Sequence, residues 1–200
     1  EAGNELLFAA VAGHEERLLP APVVDLNDGG RWQEQVPCWA ERGVRALRLA
    51  PAFYRNSLNG EAAASLAAVA TEQHWPVVVA LETVRATPWP SGQLRQAVEL
   101  AQRFPHLPVI VLGANRSSWH ELVGALRHTS NLYVELSNLE IGQALEQLVA
   151  LGAEDRLLHG SNYGASYANV CLERIRRSSV TEEVKAKVLG VNAASLFGEE

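Results

Sequence analysis

The sequence predicts an α/β domain built on a parallel sheet, and three observations carry that prediction. Six segments of strand character alternate with helical segments along the 200 residues. Residues 77–81 are nearly continuous apolar sequence, as expected of a strand covered on both faces. No hairpin signal separates consecutive strands, so each return passes through a helix and the crossovers are right-handed. Both a closed (β/α) barrel and an open doubly wound sheet meet this pattern. The absence of a GxGxxG or GxxxxGK[ST] run after any strand weighs against a nucleotide-binding open sheet.

Taken in order, residues 4–14 place Leu6, Leu7, Ala10 and Val11 at helical spacing, with Gly13 near the stop. Residues 19–27 read as a strand with Val24 and Leu26 on one face and Asp25 and Asn27 on the other, closed by Asp28-Gly29-Gly30. A helix over 31–42 carries Trp32, Val36 and Trp39, and Pro37 within it predicts a start near Gln35 or a kink. Strand 44–51 leads to an alanine-rich helix over 60–74, capped by Asn59. After strand 77–81, Ser91 caps a helix carrying Leu94, Ala97, Val98 and Ala101, followed by strand 108–112. Ser118 and Glu121 have capping-box spacing for a helix ending at His128, and strand 131–136 follows. Ile141, Leu145 and Leu148 make the next helical stripe. Strand 156–159 then stops at Gly160-Ser161-Asn162-Tyr163-Gly164, and three helical pieces over 167–177, 182–189 and 192–197 end the chain.

With 48% hydrophobic and 20% charged residues, the chain reads as one domain over residues 1–200, able to bury roughly 70% of its unfolded surface. A net charge of -6 without a basic stripe argues against nucleic acid or an anionic membrane as partner. No apolar run approaches the ~20 residues needed to span a bilayer. Cys38 and Cys171 lack CxxC or Cys/His spacing and read as reduced thiols, which suits a cytoplasmic protein.

A set of segments in fixed order resembles the amidohydrolase-related (amidohydrolase 2) family. They are Gly3-Asn4-Glu5, the run from Gly43 to Leu49, Trp75-Pro76-Val77, Phe104-Pro105-His106-Leu107-Pro108, Asn131-Leu132-Tyr133-Val134, the run from Asp155 to Ser161, and Asn192-Ala193-Ala194. The resemblance implies a (β/α)8 TIM-barrel-like fold, with six strands visible and the first strands missing from this chain. It also implies hydrolysis or non-oxidative decarboxylation at a divalent metal, commonly zinc, at the carboxyl ends of the strands. The family's HxH pair is expected upstream of Glu1. Its later ligand positions fall at about Ala80 and Ala114, and the Asp of its Gly-Ser-Asp run is Asn162 here. Alanine offers a cation nothing, and an amide cannot take the proton that a carboxylate removes from bound water. The expectation is therefore a divergent member whose metal site is degraded. No metal is assigned to its own residues, and zinc enters only if upstream residues supply ligands.

Strand parity indicates what occupies the barrel end instead. Val78, Ala80 and Glu82 share a face, as do Tyr133, Glu135 and Ser137, and Leu158, Gly160 and Asn162. Anchored on Ala80 and Asn162 by the resemblance, Glu82 points inward, and the polar sheet faces place Asp25, Asn27, Arg48 and Glu135 inside as well. Arg48 among the acids suggests a guanidinium in the place of the lost cation, within a buried ion-pair network. Glu82, Glu135 and Asn162 are the catalytic candidates, with the two glutamates as a general acid/base pair. Arg48, Asp25, Asn27 and Trp89, the last between Pro88 and Pro90, are the substrate-binding candidates. His159, of opposite parity to Asn162, is expected to face the helices. The reading is a hydrolase or decarboxylase of a small carboxylated or amide-containing molecule. Its alternative is a pseudoenzyme that binds a small molecule or acts as a scaffold, and a homo-oligomer is compatible with either.

Overall fold

The computed structural model describes residues 2–81 and 92–198. Its elements in chain order are α1 (Ala2–Val11), β1 (Val23–Val24), α2 (Trp32–Glu41), β2 (Leu47–Leu49), α3 (Pro51–Tyr54), α4 (Glu61–Glu72) and β3 (Val77–Ala80). They continue with α5 (Gln93–Arg103), β4 (Val109–Leu112), α6 (Trp119–His128), β5 (Leu132–Glu135), α7 (Ala144–Ala150) and β6 (Leu157–Leu158). The chain closes with α8 (Asn169–Arg177), α9 (Glu182–Ala186), a π-helical turn Lys187–Val191, and α10 (Asn192–Phe197).

The six strands form one sheet in the order β1-β2-β3-β4-β5-β6, every pair parallel. This is a partial (β/α)8 barrel. Register divides its side chains into two layers. Val24, Leu49, Val79, Val111, Val134 and Leu157 are successive cross-strand partners, all buried in the main core beneath the helices. Fully burying each such side chain stabilises the fold by ~1.5–3 kcal/mol relative to exposure. The row on the other face runs Val23, Arg48, Val78, Ile110, Tyr133. There Ala46, Val78, Ile110 and Leu158 form a second, smaller core, against which α10 packs Ala193, Leu196 and Phe197.

The strands are shorter than the sequence suggests. Residues 19–27 contribute only Val23 and Val24 to the sheet, because Pro20 and Pro22 lack the N–H a ladder needs. Pro51 ends the second strand and opens α3. Three end-signals also act differently from expectation. Helix α2 starts at Trp32 despite Pro37, because Asp28 accepts from Gly30 N (2.8 Å) and Trp32 N (3.1 Å), while Trp32, Val36 and Trp39 anchor the buried side. Pro37 is exposed, where water can serve the carbonyl it leaves without a donor. Asn59 does not cap α4. It donates to Glu99 Oε2 at 2.6 Å, and the helix begins at Gly60 without a side-chain cap. The reciprocal box near α6 joins Asn115 to Ser117 N and Ser118 Oγ, both at 2.9 Å, one turn before the Ser118–Glu121 pair. Ser91 lies outside the described residues.

Several residues that carry the family resemblance hold backbone. On the side of β1 away from β2, Asn4 donates to Val23 O and accepts from Val23 N, both at 2.9 Å. At the opposite margin, Asn192 donates to Glu154 O (2.8 Å) and Leu157 O (2.9 Å), and His159 N donates to Val188 O (2.9 Å) in the π-helical turn. Asn131 donates to the carbonyls of Ala101, Phe104 and Leu107 (3.0, 2.9 and 2.6 Å), tying the α5–β4 turn to the start of β5. Arg156 does the same for Leu126 O and Thr129 O (2.9 and 2.8 Å). Among the described residues no helix is long and apolar enough to cross a membrane.

Candidate functional site

The inner sheet face opens at the carboxyl ends of the strands, and its most developed chemistry lies where β5 meets β6. Glu135 ends β5 and is half-buried. Its Oε1 accepts from Ser137 N at 2.6 Å and its Oε2 from Ser137 Oγ at 2.8 Å. Gly160, two residues beyond Glu135's cross-strand partner Leu158, makes room for the carboxyl: a Cβ on Gly160 would overlap the Glu135 carboxylate. Burial raises the Glu135 pKa above its ordinary 4.5, and the Ser137 donors and the Arg174 charge only partly offset this. A carboxyl in that condition holds its proton longer than a solvated one and can donate it.

Asn162 lies two residues beyond Gly160 and bonds the loop that carries Ser137. It adopts a left-handed backbone (φ 47°), which asparagine tolerates better than most residues, and donates from Nδ2 to Asn138 Oδ1 at 3.2 Å. Asn138 and Ser137 belong to the loop between β5 and α7, which Arg174 of α8 grips from behind. Its terminal nitrogens donate to Leu136 O (2.6 Å), Ser137 O (3.1 Å) and Leu139 O (3.0 Å).

The β1 side is built separately. Asp25 Oδ1 accepts from Asn27 N (2.9 Å), and Asn27 Nδ2 donates to Tyr54 O (2.8 Å). Buried Asn56, oriented to satisfy both ends of its amide, donates to Asp25 Oδ1 (3.1 Å) and accepts from Leu26 N (3.3 Å). Asp25 also lines a cavity of about 210 Å³ with Asp28, Arg31 and Tyr54. Arg48 shares the inner-face row with Val23 and Val78, but it is exposed and makes no ion pair with any described residue. The buried network expected around it is therefore not formed by its described members: a hydrated guanidinium needs no partner, whereas a buried one does. Glu82 and Trp89 lie outside the described residues. Of the candidates, Glu135 and Asn162 bond successive residues of one loop, Ser137 and Asn138, and Asp25 bonds Asn27.

The described residues do not fit the divalent metal that the resemblance implies. Ala80 is on the inner face without a donor atom. Ala114 is not on that face: Gly113 turns the chain with φ 82°, and Ala114 is fully buried in the main core. Asn162 presents a neutral amide where the family's carboxylate is expected, and one of its N–H groups donates to Asn138. Among the described residues no three His, Cys, Asp or Glu side chains are grouped so as to hold a metal ion.

His159 follows its parity to the face opposite Leu158. It is half-buried, its Nε2 has no partner among the described residues, and burial lowers its pKa below 6.5. Neither Arg174 nor Gly160 stands out in the sequence as a residue of this loop cluster. Only the pairing of β5 with β6 could have exposed the role of Gly160, and nothing local marks Arg174 among the basic residues of α8.

A partial parallel barrel with its polar groups at the carboxyl ends of the strands is the architecture of TIM-barrel enzymes. The chain belongs to the amidohydrolase family, whose Amidohydro_2 model matches residues 1–198. Similar solved structures include an uncharacterised TIM-barrel protein from Bordetella bronchiseptica (19% identity, TM-score 0.83, 98% of this chain and 72% of that one). A 2,6-dihydroxybenzoate decarboxylase from Rhizobium (14%, 0.78, 98% and 76%) and a 5-carboxyvanillate decarboxylase from Sphingomonas paucimobilis (15%, 0.79, 98% and 71%) are also similar. At these identities the likeness establishes the fold. No curated protein sequence matches the chain.

Proposed function

We propose that the barrel mouth takes a small aromatic carboxylate and that Glu135, in its protonated form, is the proton donor toward it. The observation that carries this reading is the Glu135 carboxyl, its pKa raised by burial, seated over Gly160 and bonded to Ser137, the neighbour in sequence of Asn138, to which Asn162 donates. The carboxylated class comes from the structural neighbours, which include decarboxylases of 2,6-dihydroxybenzoate and 5-carboxyvanillate. In a non-oxidative decarboxylation the bond from ring to carboxylate breaks, CO2 leaves, and the ring carbon takes a proton, which a neutral Glu135 can supply. Amide donors at Asn162 and Asn138 suit a carboxylate or phenolate oxygen. A second reading, a non-catalytic protein binding the same class of molecule, is favoured by Ala80, where the resemblance places a metal ligand, and by Asn162, where it places the proton-accepting Asp.

Incubation with 2,6-dihydroxybenzoate and 5-carboxyvanillate, followed by chromatography of substrate and product, separates the two. Turnover that falls by about 10²–10⁴ in Glu135→Gln supports the proton-donor role. Calorimetric binding without turnover selects the second reading. Turnover unchanged in Glu135→Gln removes Glu135 from the chemistry. Stoichiometric zinc in the purified chain would overturn the metal-free site.

A further inference from the structure

One peptide plane connects Arg174 to Glu135. The carbonyl of Leu136 and the N–H of Ser137 are the two ends of a single planar amide. Arg174 Nη2 donates to Leu136 O at 2.6 Å, and at the other end Ser137 N donates to Glu135 Oε1 at 2.6 Å. A cation on the carbonyl polarises the amide and strengthens its N–H as a donor, so two charge-assisted bonds in series reinforce each other. Leu136 O also accepts from Leu139 N (3.1 Å), and the carbonyls of Ser137 and Leu139 accept from Arg174 at 3.1 and 3.0 Å. The plane cannot turn without losing these bonds. Arg174 makes no ion pair with any described acid, and its Nε is buried without an acceptor among the described residues. Its charge is held by main-chain carbonyls, in an orientation that serves the loop and leaves one of its own donors unmet.

We propose that Arg174 is a positioning residue for Glu135: through the Leu136–Ser137 peptide it holds the Ser137 N–H on the carboxyl and favours the ionised form. Its catalytic meaning rests on Glu135 being the proton donor. Burial makes Glu135 hold its proton, whereas a donor must also release it. The carboxylate left after transfer is met by the Ser137 N–H on Oε1 and by the Ser137 hydroxyl on Oε2, the latter at 2.8 Å. Among the described residues Arg174 is the charged group that acts on Glu135, and it works in the same direction as the Ser137 donors.

NMR titration of the unaltered chain, Arg174→Gln and Arg174→Lys tests this, following the Glu135 carboxyl carbon and the Ser137 amide proton. In the unaltered chain the Ser137 amide is expected downfield and to titrate with Glu135. In Arg174→Gln the Glu135 titration should move to higher pH and the Ser137 amide upfield. Arg174→Lys, which keeps the charge without the fork, should recover part of both shifts. A purely structural role would lower the melting temperature and leave both signals in place. Three results overturn the proposal: a Ser137 amide in the unaltered chain that ignores the Glu135 titration, which needs no variant to fold; a Glu135 titration unmoved in Arg174→Gln; or a lysine variant that matches the glutamine one. None of these readouts uses a substrate. Absence of turnover would therefore sink the proton-donor reading and leave the link to Arg174 standing, whereas unmoved titrations beside normal turnover would do the reverse.

Discussion

Glu135 and Gly160 act as a pair, and the pairing has a measurable consequence. A Cβ on Gly160 would meet the carboxyl and the Cγ of Glu135, so the whole side chain must turn away and release Ser137. Gly160→Ala is therefore expected to leave the fold intact while driving the carboxyl toward water. NMR titration should then show the Glu135 pKa falling toward 4.5, and an unchanged value would mean that the glycine does not cradle it. The sign of the stability effect follows from the raised folded pKa. Stability contributed by protonated Glu135 is fully present below 4.5 and is lost as pH rises through the folded value. Glu135→Gln is expected to flatten that loss, and denaturant titrations across this range measure it. His159 works in the opposite sense. With its pKa depressed by burial, its contribution is present above 6.5 and lost as pH falls through the lower folded value, and Glu135→Gln leaves that part unchanged. The inward parity of Glu135 was legible in the sequence, since charge alternated with apolar residues along its strand. The role of Gly160 was not, because it depends on how β5 registers on β6.

At the scale of elements, Asn4, Asn131, Arg156 and Asn192 explain why the family could be read from a chain without the family's ligands. Each satisfies carbonyls or an N–H at a junction between elements, so each is needed to assemble the barrel whatever its mouth does. Asn131→Ala would strip a side-chain donor from three carbonyls at the α5–β4 turn. It is expected to cost ~1–3 kcal/mol in denaturant melts. Asn59→Ala, which removes only an exposed link to Glu99, should change stability by less than ~0.5 kcal/mol. The alternation of strands and helices was legible because apolar periodicity reports burial directly. Strand and helix ends were less so, since Pro20, Pro22, Asp28 and Asn115 act through geometry that composition only hints at.

The whole molecule separates two rows of side chains with different tasks. The row facing the helices, from Val24 to Leu157, is the stabilising core, and Leu49→Ala there should cost ~2–5 kcal/mol by equilibrium unfolding. The inner row carries Arg48 and, one layer nearer the mouth, Glu135, so substitutions there should alter ligand recognition before stability. Sequence parity placed Arg48 on that row correctly, but its exposure depends on how the neighbouring elements close around it, which no single segment encodes.

Among the described residues, the outer sides of β1 and β6 are bonded by side chains and a helical turn. At β1 the Asn4 amide occupies both polar groups of Val23, and at β6 Asn192 and the Val188 carbonyl occupy Leu157 O and His159 N. A bare strand margin is a template on which another extended chain can add itself and nucleate aggregation. Here an incoming strand would have to displace a hydrogen-bonded asparagine at either end before gaining its first bond. Any strand that seats at either margin, including one from elsewhere in the same protein, must exchange with these asparagine bonds.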